Sequence, residues 1–260
     1  MVKQSLLNIE VSSHDIRDIV VETLNEVSKF PRTLDYRPDM PPAWNQGSDG
    51  PCSAYAAAAI KQWQEKKDYG LEENLSRYFI YNIRSNYPQK GMTPRDTMKI
   101  LHTYGVPLAK VYHIRKMKHK QDIPEEVWQE AANHKILAYG RVLTIDGLKE
   151  SLYKNGPAYI AMPVFNNSDT FWKPGFGDTQ MGGHALVVVG YNKYGFILRN
   201  SWGRNWADEG HAVYPYKDFG SHFEIWTAID DPNSTVSWNT QKSQKKGFSA
   251  LNLFKKVFNR

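Results

Sequence analysis

The sequence predicts an α+β fold with two lobes. Its first half, to about residue 140, carries mainly helical signals, and its second half carries short apolar runs typical of strands. The hydrophobic content is 41% and the aromatic content 13% over 260 residues, which is ample for a packed core. Because a helical lobe beside a β lobe leaves a cleft between them, we expect a functional site in that cleft.

The first 29 residues are predicted to form a separate helical segment. Ser12 or Ser13 can cap a helix that ends at Phe30-Pro31. The apolar residues of this segment recur with a period close to 3.6: Ile16, Ile19, Val20, Leu24 and Val27.

Four further helices are expected. After an extended lead-in over residues 31–51, a helix runs from Cys52 to about Lys67, because its residues are strong helix formers. A second is expected over residues 75–83. A third covers residues 96–104, where Thr93 or Pro94 opens it and a glycine stops it. A short fourth helix runs from about residue 146 to residue 154.

Five strands are predicted in the second half, over residues 158–164, 184–191, 195–200, 211–214 and 225–229. The four residues from Asn192 to Gly195 have the chemistry of a hairpin turn. The two strands that flank this turn are therefore expected to pair antiparallel.

The charge of the chain is concentrated in its tail. The net charge is +6, and residues 232–260 carry six Lys or Arg with no Asp or Glu. The rest of the chain is therefore neutral overall, so the domain itself is not expected to bind nucleic acid. We see no signal peptide, no run of about 18 apolar residues and a single cysteine. We therefore expect an intracellular protein or one packaged in a virion.

Cys52 is placed where a thiol is easily activated. It follows a loop rich in Gly and Pro and begins a predicted helix, whose partial positive charge favours thiolate over thiol. Sixteen residues separate His184, at the start of a strand, from Asn200, at the end of the next. An antiparallel hairpin can bring these two side chains into hydrogen-bond contact, so that the imidazole takes the thiol proton while the amide orients the ring. Gln46 can direct its side-chain NH2 at a developing oxyanion.

At these residues the chain resembles the papain family of cysteine peptidases. It has Gln-Gly-Ser-Asp-Gly-Pro-Cys over residues 46–52, Gly-His-Ala over residues 183–185 and Asn-Ser-Trp-Gly over residues 200–203. The order and spacing of these motifs are close to those of the family. The resemblance covers about residues 30–230 and is closest to the disulfide-free bacterial and large-virus branch.

The resemblance implies a papain-like fold, with a mainly helical N-terminal lobe over about residues 30–140 and an antiparallel, barrel-like β lobe over about residues 141–232. It implies that Cys52 is the nucleophile, His184 the base and then acid, Asn200 the orienting residue and Gln46 the oxyanion donor. It also implies that Trp202 shields the His–Asn hydrogen bond from water. Substrate-binding positions implied by the family pattern are Gly91, Met92, Thr93, Pro94, Gly183 and Ala185.

Four features depart from the family pattern, and the first is Pro51, which replaces a usual Ser and suits a helix start. Asp49 stands where secreted relatives have a disulfide cysteine, and Ser53 replaces the common Trp after the nucleophile. Met92 replaces a Gly, which can narrow or reshape the cleft. The change at Met92 concerns substrate preference and not chemistry, and Asp49 is consistent with a reducing compartment.

The expected activity is that of a cysteine endopeptidase acting on polypeptides, with no metal or cofactor, because no group of residues has metal-ligand spacing. Two alternatives stay open. The same constellation could cleave an isopeptide bond, such as one to a ubiquitin-like tail, or the fold could be a silent binding or virion module.

Two segments also have more than one interpretation. Residues 1–29 are either a short propeptide, as in a zymogen, or a permanent helix. The basic tail, residues 233–260, is either an amphipathic helix that contacts an anionic membrane or a protein partner, or a solubilising extension.

Overall fold

The computed structural model describes residues 9–24, 29–47, 51–116 and 119–230. Five α-helices lie in these ranges: α1 (Cys52–Tyr69), α2 (Arg77–Asn82), α3 (Pro94–Thr103), α4 (Glu125–Ala132) and α5 (Ile145–Asn155). The strands described are β1 (Leu34–Asp35), β2 (Ile136–Arg141), β3 (Ala158–Val164), β4 (Gly182–Tyr191), β5 (Gly195–Arg199), β6 (His211–Pro215) and β7 (Glu224–Asp230). The predicted α+β fold is confirmed, and α1, α2, α3 and α5 and strands β3 to β7 fall where the sequence places them.

The central helix α1 forms the core of the helical lobe. All of its residues from Cys52 to Glu65 are buried, on every face of the helix. Its run of alanines, with Ala57 and Ala58 fully buried, lets neighbouring backbone approach closely, and α1 packs against α2, α3 and β4. The helix ends at Tyr69, and the next residue, Gly70, adopts the left-handed conformation (φ 71°) that a Cβ would disfavour.

The β lobe is an antiparallel sheet with the order β2-β7-β3-β4-β5-β6, and β1 adds to β4. In the β3–β4 pair, Met162 lies opposite His184, and in the β4–β5 pair, Val187 lies opposite Arg199. Every residue of β3 is buried, because the sheet has α1 on one side and α5 on the other. Two separate apolar cores result, one around α1 and one inside the β lobe, as a two-lobed fold requires.

The prediction of a helix near the N-terminus is wrong for residues 12–20. These residues form no helix: they are irregular apart from a turn at 16–17 and a single β-bridge at Val20, and a short 3-10 helix covers Val21–Leu24. Ile16, one of the apolar residues that suggested this helix, is 91% exposed. A short helix is marginal on its own, and here the backbone amides of Ile9, Glu10 and Ser12 bond to the folded domain instead. Residues 25–28 lie outside the described ranges.

Three elements were missed by the sequence predictions: the two-residue strand β1, the helix α4 and the strand β2. The helix α4 begins directly after Pro124 with two glutamates in its first turn, which is a usual start signal. The strand β2 alternates buried and half-buried residues, but two of its inward positions are Ala138 and Gly140, so its apolar signal is weak.

The basic tail over residues 233–260 lies outside the described residues, so its interpretation stays a prediction. None of the helices in the described ranges combines the length and the apolar character that crossing a bilayer requires.

Candidate active site

The cysteine predicted to be the nucleophile lies at the first position of the central helix. Cys52 begins α1, follows Pro51 and is 1% exposed. The first turn of α1 contains no acidic side chain to offset the partial positive charge of the helix start. This position therefore favours an anion at Sγ. Residues 48–50 of the preceding loop lie outside the described ranges.

The predicted hydrogen bond between His184 and Asn200 is present. The ring atom Nε2 of His184 donates to Oδ1 of Asn200 over 2.7 Å, and both side chains are buried. Asn200 follows directly after β5, and the antiparallel pairing of β4 with β5 brings it beside β4. The bond assigns the ring proton to Nε2, so Nδ1 of the neutral ring is the basic atom. Nδ1 is buried and makes no hydrogen bond within the described residues.

Aromatic rings enclose this pair. Trp202 stacks on His184 with ring centroids 4.6 Å apart and an angle of 27° between the planes. The ring centroid of Phe171 lies 5.3 Å from that of Trp202 and 6.1 Å from that of His184. Water is therefore kept from the His–Asn bond by apolar surface, which strengthens the bond electrostatically.

Burial controls the charge of the imidazole. Because it is removed from water, the pKa of His184 falls from its ordinary value of 6.5 to about 4, and the hydrogen bond to Asn200 offsets only part of that effect. The ring is therefore neutral near pH 7 in this structure. A neutral imidazole is the form that can accept a proton from a thiol.

Gln46 is connected to the same loop as Asn200. Its side-chain Oε1 accepts a hydrogen bond from the hydroxyl of Ser201 over 2.5 Å, and its backbone N–H donates to the carbonyl of Ser201 over 2.9 Å. The amide oxygen is thus occupied, and the amide nitrogen Nε2 is buried without a hydrogen bond in the described part of the chain. Gln46 therefore offers a fixed donor. Ser201 was not predicted as a site residue, although it lies inside the Asn-Ser-Trp-Gly motif.

Ser53, the residue after the cysteine, has a structural partner that the sequence analysis missed. Its hydroxyl oxygen lies 2.9 Å from the phenolic oxygen of Tyr159 in β3, and both residues are buried. Burial is the main reason why the pKa of Tyr159 lies well above its ordinary value, and the charge interaction with the nearby Cys52 raises it further. The phenol therefore stays protonated. This contact fixes the start of α1 to the β lobe.

The predicted substrate-binding backbone is occupied by the chain's own N-terminal segment. The N–H of Ile9 donates to the carbonyl of Gly183 over 3.1 Å, and the N–H of Glu10 donates to the carbonyl of Met92 over 3.3 Å. Ile9 pairs with Met92 in parallel orientation and is 8% exposed. The segment therefore lies between a residue of the helical lobe and a residue of the β lobe.

Two residues next to this contact hold the segment further. The buried carboxylate of Glu224, at the start of β7, accepts the N–H of Ser12 and also the indole N–H of Trp226 over 2.8 Å. The hydroxyl of Ser12 accepts the N–H of Arg95 over 3.1 Å. Glu224 was not predicted, since nothing in its local sequence marks a buried carboxylate at the cleft.

The remaining predicted substrate-binding residues border the same region. Gly91 has a positive φ of 92° and precedes the buried Met92. The Thr93 hydroxyl caps α3 by accepting the N–H of Asp96, and Pro94 is the first residue of α3. Ala185 follows His184 in β4 and is buried.

The arrangement can supply a thiol at a helix start, a neutral imidazole held by an amide, and a fixed amide donor.

A model of the papain family of cysteine proteases matches residues 30–221. An uncharacterized peptidase C1-like protein of Acanthamoeba polyphaga mimivirus is 30% identical over 218 residues, which covers 72% of this chain and 70% of the viral protein. Cysteine proteinase 3 of Entamoeba histolytica is 26% identical over 200 residues, and the match spans 72% of this chain and 63% of that relative.

Solved structures agree with the sequence matches. Xylellain, a cysteine protease from Xylella fastidiosa, superposes with a TM-score of 0.74 at 26% identity, covering 89% of this chain and 98% of that one. A proCathepsin B from Trypanosoma congolense reaches a TM-score of 0.68 at 15% identity and shows the shared fold alone. The chain therefore belongs to the papain family of cysteine proteases and is a papain-like cysteine peptidase.

Proposed function

We propose that this peptidase is an endopeptidase that works through Cys52, His184 and Asn200. The observation that carries the proposal is the 2.7 Å hydrogen bond from His184 to Asn200, which leaves Nδ1 as the basic atom of a neutral ring. Cys52 transfers its proton to Nδ1, and the thiolate forms a bond to the carbonyl carbon of the substrate. The resulting oxyanion accepts hydrogen bonds from Nε2 of Gln46 and from the backbone N–H of Cys52.

The second half of the reaction restores the enzyme. The C–N bond breaks, and the leaving amine takes the proton from His184, which leaves a thioester on Cys52. A water molecule then gives a proton to His184 and attacks the thioester carbon. The acyl group leaves as a carboxylic acid, and the thiol is regenerated.

The direct test is chemical labelling of the single cysteine. Iodoacetamide at a mildly acidic pH should modify Cys52 far faster than it modifies glutathione, as measured by mass spectrometry on enzyme from which the N-terminal segment in the cleft has been removed. Cys52→Ala should abolish peptide hydrolysis and retain the thermal unfolding curve, with Ser168→Ala as an exposed control. A Cys52→Ala variant with full activity would overturn the mechanism.

The segment in the cleft supports a further part of the proposal, namely that the N-terminal residues act as an inhibitory propeptide. In the family, a substrate is expected to lie antiparallel to the backbone at residues 91–92. Ile9 instead pairs in parallel with Met92, so it lies in the opposite direction to a substrate. A segment in that orientation fills the site without presenting a bond for cleavage.

The alternatives predict different results. An isopeptidase would cleave a ubiquitin-like conjugate much faster than an unmodified peptide of the same sequence, and a panel of both substrates separates the two. A silent binding module would show no accelerated labelling of Cys52 after the N-terminal segment is removed. The described residues retain a cysteine, a histidine and an asparagine at the three positions, which favours catalysis.

The basic tail contributes a separate proposal that rests on the sequence alone. Residues 233–260 are proposed to bind anionic membranes or an acidic protein partner, since six basic side chains accompany apolar residues at helical spacing. Removal of residues 236–260 should weaken binding to phosphatidylserine vesicles at low salt. Equal binding with and without the tail would overturn the membrane proposal.

A further inference from the structure

The N-terminal segment divides into three parts with different relations to the domain. We call residues 9–12 the cleft portion, residues 13–17 the exposed turn and residues 18–24 the anchor. The cleft portion covers the predicted substrate-binding backbone through the bonds of Ile9, Glu10 and Ser12 described above. The other two parts follow it along the chain, away from this backbone and beside α3, β2 and α5.

The anchor is built into the folded domain by an ion pair and a strand-like contact. Asp18 forms a two-pronged ion pair with Arg95, with Nε to Oδ1 at 2.8 Å and Nη2 to Oδ2 at 2.5 Å. The N–H of Arg141 in β2 donates to the carbonyl of Ile19 over 2.7 Å. Charge-assisted, two-pronged bonds of this kind are among the stronger polar contacts in proteins.

The anchor also completes the β lobe. Val21 is 5% exposed and belongs to the apolar core of that lobe. One carboxylate oxygen of Glu22 accepts the N–H groups of Leu143 and Thr144, over 2.6 and 2.8 Å, at the start of α5. It therefore satisfies backbone donors at a helix start and complements the positive end of that helix.

The domain surface is shaped to accept the anchor. A Cβ added to Gly147, in the first turn of α5, would lie 2.2 Å from Oε1 of Glu22. A Cβ added to Gly140 of β2 would lie 2.7 Å from the Val21 side chain and 3.0 Å from the carbonyl of Ile19. Both glycines leave space that the anchor fills.

The exposed turn is held far less closely. Ile16 is 91% exposed, and the Arg17 side chain is 85% exposed. Arg17 bonds to Asp15, within the turn itself, through both its backbone and its guanidinium. A cavity of about 420 Å³ lies beside the turn, between it and the surface of α3 and β2. A protease can therefore reach this backbone while the residues on either side are held.

We propose that the exposed turn is the site where the chain is processed, and that the anchor remains as a permanent part of the mature domain. Water is added across one of the peptide bonds from Ser13–His14 to Arg17–Asp18, giving a new carboxylate and a new amino group. The proposal deepens the proposed function, on which it rests for the identity of the protease. Because residues 9–12 occupy the cleft of an uncut chain, we assign the cut to a second copy of the enzyme whose own cleft is already free of these residues.

The cut changes the cleft portion from an intramolecular ligand to a free peptide. Before the cut, its effective concentration at the cleft is on the order of millimolar, whereas afterwards it dissociates into the bulk solution. The anchor stays covalently attached to residue 29 onward and keeps its own contacts. The mature domain would then begin near Asp18, and not near residue 30 as predicted from the sequence.

The first experiment locates the cut. Full-length Cys52→Ala protein is mixed with a trace of processed wild-type enzyme, and in parallel with trypsin, and the products are sequenced from their N-termini. We expect new N-termini at residues 14–18 in the first reaction and at Asp18 as the first product of trypsin. First cuts at residues 25–33 in both reactions would overturn the proposal.

The second experiment tests whether the anchor is retained in the fold. Glu22→Ala and Ile9→Ala are introduced into the full chain, and melting temperatures are measured before and after processing, with Glu22→Gln as the milder variant should Glu22→Ala fail to fold. We expect Glu22→Ala to lower the melting temperature by about 3 to 8 °C in both states. The Ile9→Ala shift should vanish after processing. Loss of both shifts after processing would show that the anchor also leaves and would overturn the proposal.

The two proposals can fail separately. If wild-type enzyme cleaves test peptides and leaves the Cys52→Ala chain uncut, the processing proposal is overturned and the proposed function stands. If the enzyme cleaves no peptide even after trypsin has opened the turn, the proposed function is overturned. The melting temperatures of the trypsin-cut chains then still decide whether the anchor is permanent.

Discussion

The hydroxyl of Ser201 donates a hydrogen bond to the side-chain oxygen of Gln46 over 2.5 Å, and so links the proposed oxyanion donor to the loop that carries Asn200. Gln46 lies before α1, whereas Ser201 follows β5, so the bond joins the two sides of the site. The backbone N–H of Ser201 also donates to Oδ1 of Asn200 over 2.7 Å. One residue thereby positions two groups of the proposed mechanism.

Ser201→Ala should therefore lower kcat without a matching rise in KM. Loss of the bond frees the Gln46 amide to rotate, and we expect about a tenfold fall in kcat, against about 100-fold or more for Gln46→Ala. A double-mutant cycle measured by steady-state kinetics checks the link, because Ser201→Ala should have little effect once Gln46 is alanine. Additive effects of the two substitutions would contradict it.

Removal of the stacked ring should expose the His–Asn hydrogen bond. Trp202→Ala should reduce kcat about tenfold or more, because water then competes for the Asn200 oxygen and the imidazole loses its fixed orientation. Trp202→Phe should retain most of the activity, since a ring still covers His184. Trp206→Ala is the matched control, because Trp206 packs edge-on against Trp202 at 5.4 Å, on the ring that covers the imidazole and not on the imidazole itself. Equal losses from both alanine variants would contradict the shielding role.

Acid should destabilise the fold through the buried imidazole. The pKa of His184 is lowered from 6.5 to about 4, so the unfolded chain takes up a proton between these values while the folded chain does not. The contribution is fully present above pH 6.5 and is lost as pH falls to about 4, which amounts to about 3 kcal/mol. Urea unfolding across this range should show a shallower decline for His184→Gln. The exposed His14→Gln should follow the wild type, and identical curves for all three proteins would refute the assignment.

A side chain at Gly183 should weaken the hold on the cleft portion. A Cβ there would lie 2.8 Å from the carbonyl oxygen of Ile9 and 3.0 Å from its Cβ. Gly183→Ala should therefore raise the initial activity of unprocessed protein severalfold on a small peptide substrate. The same variant measured after processing is the control, since the advantage must disappear, or reverse, once the cleft portion is gone. If the initial activity of the unprocessed Gly183→Ala variant equals that of unprocessed wild type, residues 9–12 do not inhibit the enzyme.

The start of α1 is stabilised by one buried polar pair. Tyr159→Phe removes the partner of the Ser53 hydroxyl at a fully buried position, and we expect the free energy of unfolding to fall by about 1–3 kcal/mol. Ser53→Ala with Tyr159→Phe should restore part of that loss, because no polar atom of the pair is then left unsatisfied. Urea denaturation of the two single variants and the double variant measures this. Strictly additive losses would contradict the pairing.

Much of the fold and of the candidate active site could be predicted from the sequence alone. The helix start at Cys52, the strand start at His184 and the hairpin before Asn200 are local features, because glycine, proline and apolar periodicity act over a few residues. Their spacing was sufficient to predict the hydrogen bond between His184 and Asn200. The α+β fold followed from the same signals.

Only the tertiary structure decided the features that depend on contacts between distant residues. The first 29 residues carry helical periodicity, yet residues 9–20 form no helix, because their amides and carbonyls bond to Gly183, Met92 and Arg141. The bond from Ser201 to Gln46 spans 155 positions, and that from Ser12 to Glu224 spans 212. No local pattern encodes such partners. The sequence therefore determined which residues the proposed chemistry uses, whereas the packing of the two lobes decided which backbone segment covers them.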